Sequence, residues 1–337
     1  METFIIAEIG INHNGNLELA KKMIREAKKS GCNAVKFQTF KAEEFITDKS
    51  LTYTYNSQGK EITEPQIDMF RRYEFEKREW KSIFEYCDEV GIVGFTTPQN
   101  KTDLDFILDI TDLSLLKVGS DDLTNLPLLR YYASKNIPMI ISTGMSYESE
   151  IYDAISTIRN GGCGDLTVLH CISSYPAPFK DVNMKKMLSI RDKFSVKIGF
   201  SDHTTDCLSA VISVSMGASI VEKHFTLSKD LPGPDHWFSA TPEEMKILVD
   251  NIRKTEIILG NSSLVPTEKE NEMRKICRRS IVARDNLSSG TILTVEDLDF
   301  KRPGTGLSPG KIKDLIGRKL ISDIKTDQLL KMEDIEN

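Results

Sequence analysis

Eight times before about Gly260, the chain sets a short run rich in β-branched and aromatic residues before a stretch long enough for a helix. The runs are 4–10, 34–39, 92–98, 115–120, 139–144, 167–173, 196–202 and 219–225. Between them, apolar residues recur at helical spacing. In 17–30, Leu19, Ala20, Met23, Ile24 and Ala27 stand three and four apart, and 148–160 and 243–259 read the same way. Eight strand–helix units predict an α/β fold in the form of a closed parallel (β/α)8 barrel. An open doubly wound sheet is the rival. It needs a glycine fingerprint after the first strand, and Glu8 to Gly15 reads EIGINHNG instead of GxGxxG.

The 337 residues suit one barrel plus a small appendage. We assign 1–260 to the barrel, 261–276 to a polar linker with some helix, and 277–337 to a small domain of short strands and turns. The stretch 41–68, polar and rich in Thr, Tyr and Gln, reads as a long loop and a lid over the active face. A net charge of −6 argues against a nucleic-acid or anionic-membrane partner. No apolar stretch is long enough to cross a bilayer, and the first residues lack a basic signal-peptide region. The six cysteines show no CxxC spacing, so reduced thiols and a cytoplasmic location are expected.

In such barrels the chemistry sits at the C-terminal ends of the strands. Here the apolar runs finish in polar or ionisable residues. They are Glu8; Lys36 and Gln38, two apart and so on one face; Thr97; Lys117 and Ser120 followed by Asp121 and Asp122; Ser142; His170 and Ser173; Ser201 and His203; and Glu222, Lys223 and His224. Packing alone does not explain this pattern, which points to an enzyme. Two lysines in one barrel repel unless an anion lies between them or a carboxylate such as Glu8 pairs with them, and the two readings are compatible. His203 and His224 end adjacent strands and form a candidate site for one divalent metal, Mn²⁺ or Mg²⁺; satisfied structural histidines are the alternative. His13 and His236 lie in loops, the latter after Pro232-Gly233-Pro234-Asp235, a turn that fixes the Asp235 carboxylate.

At these residues the sequence resembles the sialic acid synthase family. The motifs are FIIAEIGINHNG, AVKFQTF, ISTGM, LHCISSYPAP, GFSDHT, EKHFTL and LPGPDH, with KRPGTG in a segment similar to that family's antifreeze-like (SAF) domain. The resemblance runs from about residue 3 to about residue 330. It implies a synthase that condenses phosphoenolpyruvate with N-acetylmannosamine to give N-acetylneuraminate and phosphate. The same chemistry on 2,4-diacetamido-2,4,6-trideoxymannose, giving N,N'-diacetyllegionaminate, is the alternative.

The resemblance implies that Lys36, Lys117, Ser120, Ser142 and Ser201 contact phosphoenolpyruvate, with Gln38, Thr97 and Ser173 as further substrate-binding residues. It makes His203 and His224 ligands of a divalent metal, Mn²⁺ first, with Mg²⁺ or Co²⁺ as alternatives. Glu8 then stands near the metal and the sugar aldehyde, and Tyr175 and Asp235 on the sugar side. Arg302 reaches the sugar's N-acyl group of the partner barrel in a domain-swapped homodimer. The family's SGE reads Ser120-Asp121-Asp122 here, so Asp122 stands in for a catalytic glutamate with one methylene fewer. Ser173 stands where many members carry Asn. A non-catalytic sugar-binding protein and an aldolase using Lys36, Lys117 or Lys223 as a Schiff-base nucleophile are the competing classes.

Overall fold

A computed structural model describes residues 2–336 of the chain. Two compact units follow one another, Met1–Gly260 and Asn261–Asn337. The first is a closed barrel of eight strands: β1 (Phe4–Gly10), β2 (Ala34–Thr39), β3 (Val93–Pro98), β4 (Leu116–Val118), β5 (Met139–Ser142), β6 (Leu166–Cys171), β7 (Lys197–Asp202) and β8 (Ile220–His224). Each pairs in parallel with the next, and β8 closes on β1. Barrel strands are covered on both faces, inside by one another and outside by helices, which is why they read as near-continuous apolar runs. Ile5, Ile6, Phe37, Phe95, Ile141, Val168, Phe200 and Val221 are buried in that core. Each such side chain contributes roughly 1.5–3 kcal/mol.

Three strands stop short of the expected 115–120, 139–144 and 167–173. The chain leaves the ladder early at the ends of β4, β5 and β6, where polar contacts replace strand pairing. Gly144 N–H donates to Ser120 Oγ at 2.9 Å. A Cβ on Gly144 would meet Ser173 Oγ at 2.2 Å and Ser120 Oγ at 2.8 Å, so only glycine lets these two serines converge.

The helices follow their caps. Leu17–Lys29 begins where the Asn16 side chain accepts from Leu19 N–H at 3.0 Å, and it buries Ala20, Met23, Ile24 and Ala27. Pro242–Leu259 starts one residue before the expected 243–259, because Pro242 takes the first helical position behind the Thr241–Glu244 capping box.

The stretch 41–68 differs from the loop expected of it. It holds a short helix, Ala42–Phe45, an antiparallel hairpin of Thr52–Ser57 with Lys60–Pro65, and the start of the helix Gln66–Arg71. The hairpin turn places Gln58 at φ 53° and Gly59 at φ 73°. Positive φ at both central residues matches the strand twist, but Gln is an uncommon occupant, so the sequence carries no Asn-Gly signal. Its tip is tied to the barrel: Ser57 Oγ accepts from Gly233 N–H at 3.0 Å, and Gln58 Nε2 donates to the Asp230 carbonyl at 2.8 Å.

The second unit opens with the polar segment expected to be a linker, of which Glu268–Cys277 is helical. The strands Ser280–Ala283 and Leu298–Lys301 then pair antiparallel over a small core that includes Ile281, Leu293, Leu320 and Leu330. Among the described residues no helix is long and apolar enough to cross a membrane.

Candidate active site

The C-terminal strand ends open into one cavity of about 690 Å³. Glu8, Lys36, Gln38, Thr97, Lys117, Ser120, Ser142, Ser173, Tyr175, Ser201, His203, His224 and Asp235 all line it. Barrel register brings them together: Glu8 lies level with Lys36 of β2 and His224 of β8, and Ser201 level with Glu222 and Cys171.

The floor is an array of alternating charge. Lys36 Nζ is 2.7 Å from Glu8 Oε2 and 3.9 Å from Glu222 Oε2, and Lys117 Nζ is 3.3 Å from Glu222 Oε1. Lys36 also donates to Thr97 Oγ1, Gln38 Nε2 to Glu8 Oε1, and Ser201 Oγ to Glu222 Oε1. All four charged groups are buried. Burial raises the Glu8 pKa to about 7, opposed by Lys36 and reinforced by Glu222. Burial also works upward on Glu222, but Lys117, Lys36 and the Ser201 hydroxyl hold it below the usual carboxylate value. One carboxyl of the pair is thus poised to exchange a proton near neutrality while the other stays ionised. Ser142 Oγ and Glu222 Oε2 are buried without a hydrogen-bond partner. Such groups are costly to bury unmatched, so a polar guest is expected there.

His203 and His224 meet on the adjacent ends of β7 and β8, with ring centroids 5.4 Å apart. Nδ1 of His203 faces the Ile172 carbonyl at 2.8 Å. A carbonyl only accepts, so Nδ1 carries the proton; burial works downward on the His203 pKa, but Cys171, the Ile172 carbonyl and Glu222 hold it above its usual value, so Nε2 offers a lone pair in the neutral ring. His224 Nδ1 is buried and unpartnered, with Asp235 Oδ2 at 3.8 Å. Burial, then His203 and Lys36, lower the His224 pKa well below its usual value and keep the ring neutral. Two available ring nitrogens on neighbouring strand ends fit a divalent metal. Among the described residues no group of three or more His, Cys, Asp and Glu is placed to hold an ion. The remaining positions fall to water and substrate oxygens, the open arrangement of a catalytic site.

One expected site residue lies elsewhere. Asp122 does not line the cavity; its Oδ1 accepts from Asn125 Nδ2 at 3.1 Å at the start of the helix Leu126–Ala133, and Asp121 stands at the wall instead. The early exit of the chain from β4 rotates the first aspartate inward. Arg302 belongs to the second unit, where it is exposed. Lys223 has three acceptors, Asp202 Oδ2 and the carbonyls of Thr204 and Asp206, and is no free nucleophile. His170 is spent on the Val182 carbonyl, and His236 on Thr226 Oγ1. His13 is stacked on Phe75 in the interior, where burial lowers its pKa to about 3.

Glu222 stands among the strand-end residues without an assigned role, and Cys171 was missed. Each stands two positions from a residue that was named, His224 and Ser173, so strand alternation contained the signal. Of the residues that line the mouth, Phe45 and Tyr53 arise from the stretch read as a loop, and Met69 and Phe70 from the helix Gln66–Arg71 that begins at its end.

The NeuB family model matches residues 23–263, and the SAF domain model matches 278–336. The chain belongs to the NeuB family. Members are phosphoenolpyruvate-dependent nonulosonic acid synthases and are generally metal-dependent, so an enzyme of that transferase class, using phosphoenolpyruvate and an amino-sugar, replaces the scaffold and Schiff-base readings. N,N'-diacetyllegionaminic acid synthase of Legionella pneumophila is 40% identical over 100% of this chain and 95% of its own length. Pseudaminic acid synthase of Campylobacter jejuni is 34% identical over 99% of this chain and 97% of its own. The crystal structure of N-acetylneuraminic acid synthetase from Leptospira borgpetersenii, in complex with citrate, superposes with a TM-score of 0.73. It is 33% identical and covers 81% of this chain and 90% of that one. The names of these relatives differ in the acid they make.

Proposed function

We propose that this NeuB-family enzyme joins phosphoenolpyruvate to open-chain 2,4-diacetamido-2,4,6-trideoxymannose, giving N,N'-diacetyllegionaminate and phosphate. The observation that carries this acceptor is the mouth of the cavity. Ile11, Phe45, Met69 and Phe70 form one packed apolar wall with no side-chain hydrogen-bonding group. A C6 methyl gains from such a wall at about 0.8 kcal/mol per buried carbon. The C6 hydroxyl of N-acetylmannosamine would lose hydrogen bonds there, at about 1–3 kcal/mol. The difference amounts to a preference on the order of tenfold to a hundredfold. The 40% identity to the Legionella synthase supports the same reading.

At the floor, Lys36 and Lys117 clamp the phosphate and carboxylate of phosphoenolpyruvate, and Ser142 donates the hydrogen bond it otherwise lacks. C3 of phosphoenolpyruvate bonds to C1 of the sugar, and the aldehyde oxygen takes the Glu8 proton. The cation at C2 is stabilised by Glu222, which Lys117 and Ser201 keep ionised. Water adds at C2 and its proton returns to Glu8; the C2 hydroxyl then becomes the ketone, giving its proton to the phosphate as the bond from C2 to the phosphate oxygen breaks. His203 and His224 would hold the metal, proposed as Mn²⁺, which polarises the aldehyde when bound. Arg302 is proposed to act at the N-acyl group from a partner chain in a domain-swapped homodimer.

The test is to give the purified full chain phosphoenolpyruvate, Mn²⁺ and each sugar singly, following phosphate release and product mass. Faster turnover of the diacetamido sugar is expected. Faster turnover of N-acetylmannosamine would make the enzyme an N-acetylneuraminate synthase.

A further inference from the structure

Beside the main cavity lies a second one of about 250 Å³, walled by the hairpin on one side and the segment after β8 on the other. The two cavities share Tyr53, Tyr175, Pro234 and Asp235 and so lie side by side. The shared wall begins close to the reacting centre, since Asp235 Oδ2 is 3.8 Å from His224 Nδ1. Beyond it the lining mixes aromatic rings with the polar side chains of Thr54, Asn56 and Glu61. Tyr53 and Tyr55, two apart on one strand, stack with centroids 5.9 Å apart. Across the gap, Phe238 packs against Tyr175 at 5.3 Å and against Trp237 at 5.7 Å. Asn56 adds an amide that both donates and accepts.

The walls are held in place from both sides. The hairpin tip is tied to the segment after β8 by Ser57 with Gly233 and Gln58 with Asp230. That segment is tied back to the β1 loop by Asn14 Nδ2, which donates to the Pro232 carbonyl at 2.9 Å. A preformed space of this kind avoids an ordering cost when it is filled.

We propose that this side cavity is the subsite for the second acylamino group of the acceptor, with Tyr53 and Trp237 as the residues that read it. Resting on the acceptor reading above, the proposal deepens it. The substituent is carried on C4, three bonds along the sugar from C1. Its methyl packs on aromatic faces, and its amide meets the Asn56 carboxamide. A mono-acylated sugar leaves the space to water and gains nothing from it.

The experiment measures kcat/KM for the diacetamido sugar and for N-acetylmannosamine at saturating phosphoenolpyruvate, in the wild-type chain and in Tyr53→Ala, Tyr53→Phe, Trp237→Ala and Trp237→Phe. The selectivity ratio is expected to fall about tenfold or more in both alanine variants, mainly through KM for the diacetamido sugar. The phenylalanine variants are expected to retain most of it. Intrinsic fluorescence supplies a second readout, because Trp237 is one of only two tryptophans and the other, Trp80, is buried in the barrel core. The diacetamido sugar should shift that emission in the wild type and not in Trp237→Phe. An alanine variant with an unchanged ratio, or with equal losses for both sugars, would overturn the subsite while leaving the acceptor reading intact. A wild-type preference for N-acetylmannosamine would overturn both.

Discussion

The floor and the mouth of the cavity are built on opposite plans. The floor is rigid strand backbone carrying buried charge: two lysines, two glutamates and the serines and histidines around them, all fixed by barrel register. The mouth is hairpin, short helix and turn, and its surface sets aromatic and aliphatic side chains beside a few uncharged polar ones such as Asn56 and Gln66. The floor suits a small anion common to the whole family, for which electrostatic strength matters more than shape. The mouth suits the variable part of an acceptor, for which apolar contact and shape decide. Electrostatic sites belong on rigid elements, because a misplaced charge in a buried site forfeits most of its value.

If that division is right, the largest losses come from the floor. Lys117→Met should lower kcat/KM for phosphoenolpyruvate by about 10³-fold, as expected of a preorganised charge removed from a dry site. The folded state should survive, read by circular dichroism, because Lys36 remains within reach of Glu222. A loss below tenfold would move the anion elsewhere. Next comes the metal. Chelation should abolish wild-type turnover and Mn²⁺ should restore it, whereas His224→Ala should stay inactive at any Mn²⁺ concentration while remaining folded.

Third is pH. The Glu8 pKa is raised to about 7, so the neutral form persists up to that pH. As pH rises through about 7, Glu8 ionises, competes for Lys36 and repels the anionic substrate. The kcat/KM for phosphoenolpyruvate should therefore fall on the alkaline side, and Glu8→Gln, with no proton to give the aldehyde oxygen, should turn over far more slowly and lack that limb. The smallest effect belongs to the mouth. Gln58→Ala removes one exposed hydrogen bond, worth about 0.5–1.5 kcal/mol, that holds the hairpin tip. Acceptor KM should rise a few-fold while KM for phosphoenolpyruvate stays the same; a rise in both would mean that the hairpin supports the floor.

The same contrast explains what was legible in the sequence. Strand periodicity is local and strict, so Lys36 with Gln38 and Ser201 with His203 could be placed on the inner face from spacing alone. Glu222 was within reach of the same rule through His224. Asp122 failed because the chain leaves β4 after Val118, and alternation no longer says which of two successive aspartates faces inward. The mouth was hidden for another reason. Thr52–Pro65 has polar residues on a solvent-facing hairpin and a Gln-Gly turn, so neither apolar alternation nor turn chemistry announced it. Its place over the barrel depends on Ser57 and Gln58 meeting Gly233 and Asp230, partners about 170 residues away that no local pattern records.

One competition settles the division most directly. An equimolar mixture of the diacetamido sugar and N-acetylmannosamine, with limiting phosphoenolpyruvate, would be given to the wild type and to the floor variant Ser142→Ala, and the two product masses compared. The product ratio reads relative kcat/KM independently of enzyme concentration and metal loading. Expected is an excess of the diacetamido-derived acid, with the same ratio in Ser142→Ala despite its slower turnover. An excess of N-acetylneuraminate from the wild type, or a ratio altered by Ser142→Ala, would contradict an enzyme whose floor binds phosphoenolpyruvate and whose mouth selects a diacetamido acceptor.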